Sequence, residues 1–167
     1  LTIGRAATAQ VNGSWTAPTI SIASQRLLFG TEGTNIGIGG SQTTNLMLRA
    51  LASQQTAVLG GTTRGEGYTL TQADFGRIRT SNLTIQVDQQ GVSSSARDLE
   101  IRDLTLNGSG MSGGLSSVTI GTPGSARITG DLVLQQAGAE DRMTISGGQR
   151  LEIVLPGASP AITGTGG

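Results

Sequence analysis

Apolar residues recur in pairs at spacing two along this chain, and the alternation between pairs slips by one beat. Leu99 and Ile101 alternate with charge, then the next apolar residue is Leu104, followed by Leu106. A one-residue slip moves side chains to the opposite face of a straight strand. The chain therefore bulges near Arg102-Asp103 or turns a corner there. The slip recurs from Ile22 to Leu27 and from Leu48 to Leu51. A sheet sandwich needs such slips only at occasional bulges. A chain wound around an axis needs one at each corner, so that both flanking pairs still face inside. Arg102-Asp103 is thus expected to be a corner between two faces of an all-β solenoid.

The other pairs include Leu1/Ile3, Ile20/Ile22, Leu27/Phe29, Ile36/Ile38, Leu46/Leu48, Leu83/Ile85, Val118/Ile120, Leu132/Leu134, Met143/Ile145 and Leu151/Ile153/Leu155. Each predicts a short strand of about three to five residues. Helical periodicity is confined to Leu46–Gln55 and to a single turn at Thr71–Phe75. Only four aromatics stand among 27 glycines, so a core must come from Ile, Leu, Val, Ala and Met. That suits the narrow interior of stacked strands. Each turn of a solenoid cannot bury its own apolar face, but its neighbours bury it.

Composition excludes several chemistries. The chain has no Cys and no His, which removes thiolate metal sites, thiol nucleophiles and the commonest general base. Eleven basic residues, all Arg, balance eleven acidic ones, which argues against a nucleic-acid partner. The use of Arg without Lys points to a GC-rich bacterial genome. No segment approaches the ~20 apolar residues of a membrane-spanning helix. A start at Leu1 suggests a processed or excised piece of a longer chain.

The 167 residues read as a single solenoid segment with two internal repeats, 1–82 and 83–167. Leu1-Thr-Ile-Gly matches Leu83-Thr-Ile-Gln, and Asn35-Ile-Gly-Ile-Gly39 matches Ser117-Val-Thr-Ile-Gly121 at the same offset. Each unit would hold about four turns of roughly 20 residues.

No catalytic, metal-binding or cofactor-binding residue is assigned. Asp98, Glu100 and Asp103 cluster with Arg97 and Arg102, as a polysaccharide-cleaving site would require. Their charges alternate in sign, which reads as a paired outer face. Glu140-Asp141-Arg142 reads as a polar turn. Gly39-Gly40, Gly60-Gly61 and Gly113-Gly114 lack the Asp of a calcium-binding nonapeptide and read as turns. Asn12, Asn82 and Asn107 head glycosylation sequons, but Asn-Gly at 12 and 107 is also turn chemistry. Trp15 packs against a neighbouring loop in preference to stacking on a sugar. Thr163-Gly-Thr165 is too isolated for an ice-binding ladder.

The segment Tyr68-Thr-Leu-Thr-Gln-Ala-Asp-Phe-Gly-Arg-Ile-Arg-Thr-Ser-Asn-Leu-Thr-Ile85 resembles a recurring segment of large secreted β-helical proteins of alphaproteobacteria, of the filamentous-haemagglutinin and autotransporter-passenger type. Leu70-Thr71, Asp74, Ile78 and Leu83-Thr-Ile85 carry the likeness. Phe75 stands where Leu is more usual, and Gln86 replaces a Gly. The resemblance covers about 18 residues. It implies a long right-handed parallel β-helix at the cell surface or beyond, non-enzymatic, acting as a stiff stalk or adhesin. Its expected partners are adjoining repeats or further copies of itself, and a host or surface glycan. Two other classes compete. A carbohydrate-active β-helix would place Asp98 and Glu100 in a groove with a cation. A β-sandwich binding module would pair its strands antiparallel.

Overall fold

The computed structural model describes residues 1–30, 34–37, 43–51, 56–88, 98–109, 114–154 and, for the backbone alone, 162–166. Ile38, Gly39-Gly40, Arg97, Gly113 and Leu155 lie outside the described residues, as do the side chains of Thr163 and Thr165.

The protein is all-β, and every strand pairing among the described residues is parallel. That is the opposite of what the sandwich module requires. The chain opens with β1 (Thr2–Val11), β2 (Ser14–Trp15), β3 (Thr19–Phe29), β4 (Asn35–Ile36), β5 (Thr43–Ala50), β6 (Ala57–Leu59) and β7 (Thr69–Leu70). One helical turn, α1 (Gln72–Phe75), follows. Three successive triplets of strands then form. They are β8 (Thr80–Val87), β9 (Leu99–Ile101) and β10 (Leu104–Asn107); β11 (Ser117–Thr122), β12 (Ser125–Ile128) and β13 (Leu132–Ala137); and β14 (Arg142–Gly147), β15 (Arg150–Ile153) and β16 (Ile162–Gly166).

Each triplet visits three sheets in the same order. The first sheet runs β1-β3-β5-β8-β11-β14, the second β15-β12-β9-β6-β7 and the third β10-β13-β16, with β2-β4 as a two-stranded ribbon. Arg102-Asp103 joins β9 of the second sheet to β10 of the third, so the slip in the alternation is a change of sheet. Thr129–Asp131 makes the same passage one triplet later, between β12 and β13. The slip from Ile22 to Leu27 has another cause. It lies inside β3, which stays one strand of 11 residues while its buried face shifts near Ser24. β1 and β3 thus exceed the expected strand length.

Register explains the core. Ile3, Ile22, Leu48, Ile85, Ile120 and Ile145 pair in one row across all six strands of the first sheet. Ile20, Leu46, Leu83, Val118 and Met143 form the next row. In the second sheet Leu70, Leu59, Ile101, Ile128 and Ile153 align, and in the third Leu104 aligns with Leu132. Alternate residues of a strand share a face, so each spacing-two pair contributes to two such rows. Full burial of each aliphatic side chain contributes roughly 1.5–3 kcal/mol. Paired residues lie 19 apart at Ile3/Ile22 and 37 apart at Leu48/Ile85, so the connections between rows vary in length. Ile3 and Ile85 share a row. Ile36 lies in the ribbon while Val118 lies in the first sheet.

The helix expected at Leu46–Gln55 is not formed through Ala50, and 52–55 lie outside the described residues. Leu46, Leu48 and Ala50 are buried between β3 and β8, and their pairing outweighs local propensity. The turn expected at Thr71–Phe75 is present. Thr71 is its N-cap and Asp74 closes a capping box. Gly60 and Gly61 form a turn, as expected, with φ of 86° and 66°. Gly60 also lies so close to the Asp103 carbonyl oxygen that a β-carbon there would sit 2.5 Å from it.

Candidate functional site

The acidic residues singled out in the sequence work as fasteners between successive triplets. Asp98 Oδ1 accepts the Ser125 N–H at 2.8 Å, and Asp103 Oδ1 accepts the Asp131 N–H at 3.0 Å. Asp141 Oδ2 accepts N–H groups from Ser109 at 2.7 Å and Gly138 at 2.8 Å. Each carboxylate satisfies backbone donors at a place where the chain leaves a sheet. Glu100 lies on the outer side of β9. Its carboxylate accepts from Arg102 Nη2 and from the Thr129 hydroxyl, both at 3.1 Å. Across the second sheet Glu100, Arg127 and Glu152 stand in register with alternating sign. The structure thus brings Asp98, Glu100, Asp103 and Arg102 to one corner region and gives each of them a protein partner. Among the described residues no group of three or more acidic side chains is placed to hold a metal ion.

These contacts set a pH dependence. The hydrogen bond from Arg102 holds the Glu100 carboxyl below its ordinary value. Burial opposes this, and Thr129 and the charges of Arg102 and Arg127 add to it. A carboxyl depressed on folding stabilises the fold above its unfolded pKa, ~4.3 for Glu. That contribution is lost as pH falls through the folded value. Glu100→Gln is therefore expected to flatten the loss of stability between pH 5 and pH 3, measured as the urea midpoint at each pH. Parallel profiles for the two proteins would show that the Arg102 contact contributes nothing.

The segment Tyr68–Ile85 builds the most buried polar site. Asp74, 7% exposed, receives Arg64 Nη2 at 2.6 Å, the Thr71 N–H at 2.8 Å and the Thr71 hydroxyl at 2.9 Å. Arg64 also donates to the carbonyls of Leu27 at 3.1 Å and Thr69 at 3.0 Å, tying β3 to β7. Burial, followed by the Asp74 charge, pushes the Tyr68 phenol far above its ordinary range. It is a packing residue here and stays neutral. Gln72 turns its side-chain amide on β10, accepting the Thr105 N–H at 2.8 Å and donating to the Thr105 carbonyl at 2.9 Å. It supplies the two bonds that a neighbouring strand would make. Nothing in the alternation pattern marks Gln72 or Arg64. Only the capping sequence Thr71–Asp74 was a visible signal.

Between α1 and β10 lies a cavity of about 250 Å³, floored by Phe75, Ile78 and Leu106 and rimmed by Asn107 and Gln135. Trp15 is half-buried and packs against the core beside Ile36, as the packing expectation required. Of the sequon asparagines, Asn82 donates to Asn45 Oδ1 at 3.0 Å across β5 and β8.

The strands define an all-β protein of parallel sheets. Comparison with protein-family models, with curated proteins and with solved structures finds no match. No helix among the described residues is long and apolar enough to cross a membrane.

Proposed function

We infer that this chain is a structural or adhesive segment of a large secreted or cell-surface bacterial β-solenoid, a right-handed parallel β-helix that acts as a stiff stalk. The observation that carries this reading is the aliphatic row from Ile3 to Ile145, continuous across six parallel strands. Three triplets visiting three sheets in constant order support winding about one axis. Such a body resists extension because backbone hydrogen bonds run along its length. Its function is to hold loops at a distance. The partnered state of Asp98, Glu100 and Asp103 favours this over a polysaccharide-cleaving role, which needs carboxylates free to meet substrate. A surface glycan is the ligand that suits the α1 cavity, because amides on an apolar floor match hydroxyls on a sugar ring.

Negative-stain electron microscopy with averaging, applied to the native secreted material, tests the reading. Thin rods with a layer spacing of about 4.8 Å along the axis are expected. Compact particles without that spacing would discard the stalk.

A further inference from the structure

The two sides of the sheets are finished differently. On the side of β1, each sheet edge is closed by its own device. β1 shifts register between Ile3 and Ala6 and carries Arg5 at the irregularity. Bulges and charges of this kind keep an edge strand from recruiting another. β7 has only two residues, and its Thr69 carbonyl is taken by Arg64. β10 has both Thr105 backbone groups taken by Gln72. Ala9 and Val11 of β1 are buried although β1 is an edge strand.

The opposite side has no such device among the described residues. β14, β15 and β16 each pair on one side only. β14 and β15 keep regular register along their whole length. Leu151 and Ile153, which end the inward rows of the second sheet, are 48% and 47% exposed. Met143 and Ile145 are only half-covered. Inward-facing aliphatics left in water beside open strand edges mark an interaction surface.

We propose that this side binds the same side of a second copy, giving a closed two-fold dimer. Head-to-tail growth would need an open β1 side, and that side is closed. An isologous contact needs one self-complementary patch. β15 has that property. In an antiparallel β15–β15 pair centred on Leu151, the two Leu151 side chains meet, and Arg150 of each copy lies opposite Glu152 of the other. At present Arg150 and Glu152 pair within one strand at 3.2 Å and stay exposed, 67% and 36%, so both are available. The same axis sets β14 of each copy against β16 of the other. This geometry rests on the solenoid reading, which makes the three edges one end of one body.

The chain has no cysteine, so a single one reports the contact cleanly. Sedimentation equilibrium of the 167-residue chain should give a dimer, and the double substitution Leu151→Lys, Ile153→Lys should give a monomer with unchanged circular dichroism. Leu151→Cys should oxidise to a covalent dimer, while Thr2→Cys should not. A wild-type monomer at every concentration overturns the proposal, as do open-ended fibres or cross-linking through Thr2→Cys. The images separate the two failures. A monomer that still shows the ~4.8 Å layers overturns the dimer alone, whereas particles without them overturn the solenoid.

Discussion

Asp74→Ala is expected to cost about 3–5 kcal/mol of folding stability, the range for stripping one partner from a buried ion pair. For a chain of this size that lowers Tm by roughly 6–20 °C. One carboxylate oxygen gathers three donors, from Arg64 and from the N–H and hydroxyl of Thr71. Its loss leaves the cap of α1 open and the Arg64 guanidinium uncompensated between β3 and β7. The exposed pair Arg49–Asp88 at 2.8 Å is the control, because its arginine is 45% exposed. Asp88→Ala should cost no more than about 1 kcal/mol. Urea unfolding of both variants decides the matter. An Asp74→Ala midpoint shift no larger than that of Asp88→Ala would mean that the buried cluster adds no net stability. Arg64→Ala and the double variant complete a cycle, and strong non-additivity is expected because the two groups share one site.

The same site shows how far the sequence alone reaches. The capping box was legible because Thr and Asp three apart, just before Phe75, have few other uses. The corner at Arg102-Asp103 was legible because a strand's period of two is rigid, so a slipped beat must be paid out in geometry. The slip at Ile22–Leu27 looks identical in sequence, yet β3 absorbs it inside one strand. The difference lies in the partner strand. β1 shifts register beside it, and no local signal in β3 records that. β12 was overlooked because Ala126 is too small to read as half of an apolar pair. It becomes a strand because Leu99 and Ile101 present it with a register to complete. Arg64 and Gln72 were invisible for a related reason. Their roles depend on edges contributed by β3, β7 and β10, whose juxtaposition is a product of the whole fold. The acidic residues at corners fall between these cases. Their paired, outward nature followed from alternating charge, but their individual backbone partners, 27 or 28 residues on for Asp98 and Asp103, did not.

Ile85→Ala is expected to cost about 2–5 kcal/mol, while Thr84→Ala, one residue away, should stay within about 0.5 kcal/mol of the parent. Ile85 is 1% exposed and lies in the middle of the six-residue aliphatic row, between Leu48 and Ile120. Thr84 pairs with Met47 and Thr119 on the outer face of the same strand. Backbone hydrogen bonds are the same at the two positions, so the contrast isolates side-chain burial from strand propensity. The cost at Ile85 should approach the upper limit, because parallel strands above and below fix the backbone and leave the cavity unable to collapse. Ile3→Ala in the same row, on the edge strand and only half-covered, should cost less than Ile85→Ala. Guanidinium unfolding of the three variants gives this order directly. Equal costs at Ile85 and Ile3 would mean that the row is not continuous. The stalk reading would then lose the observation on which it rests.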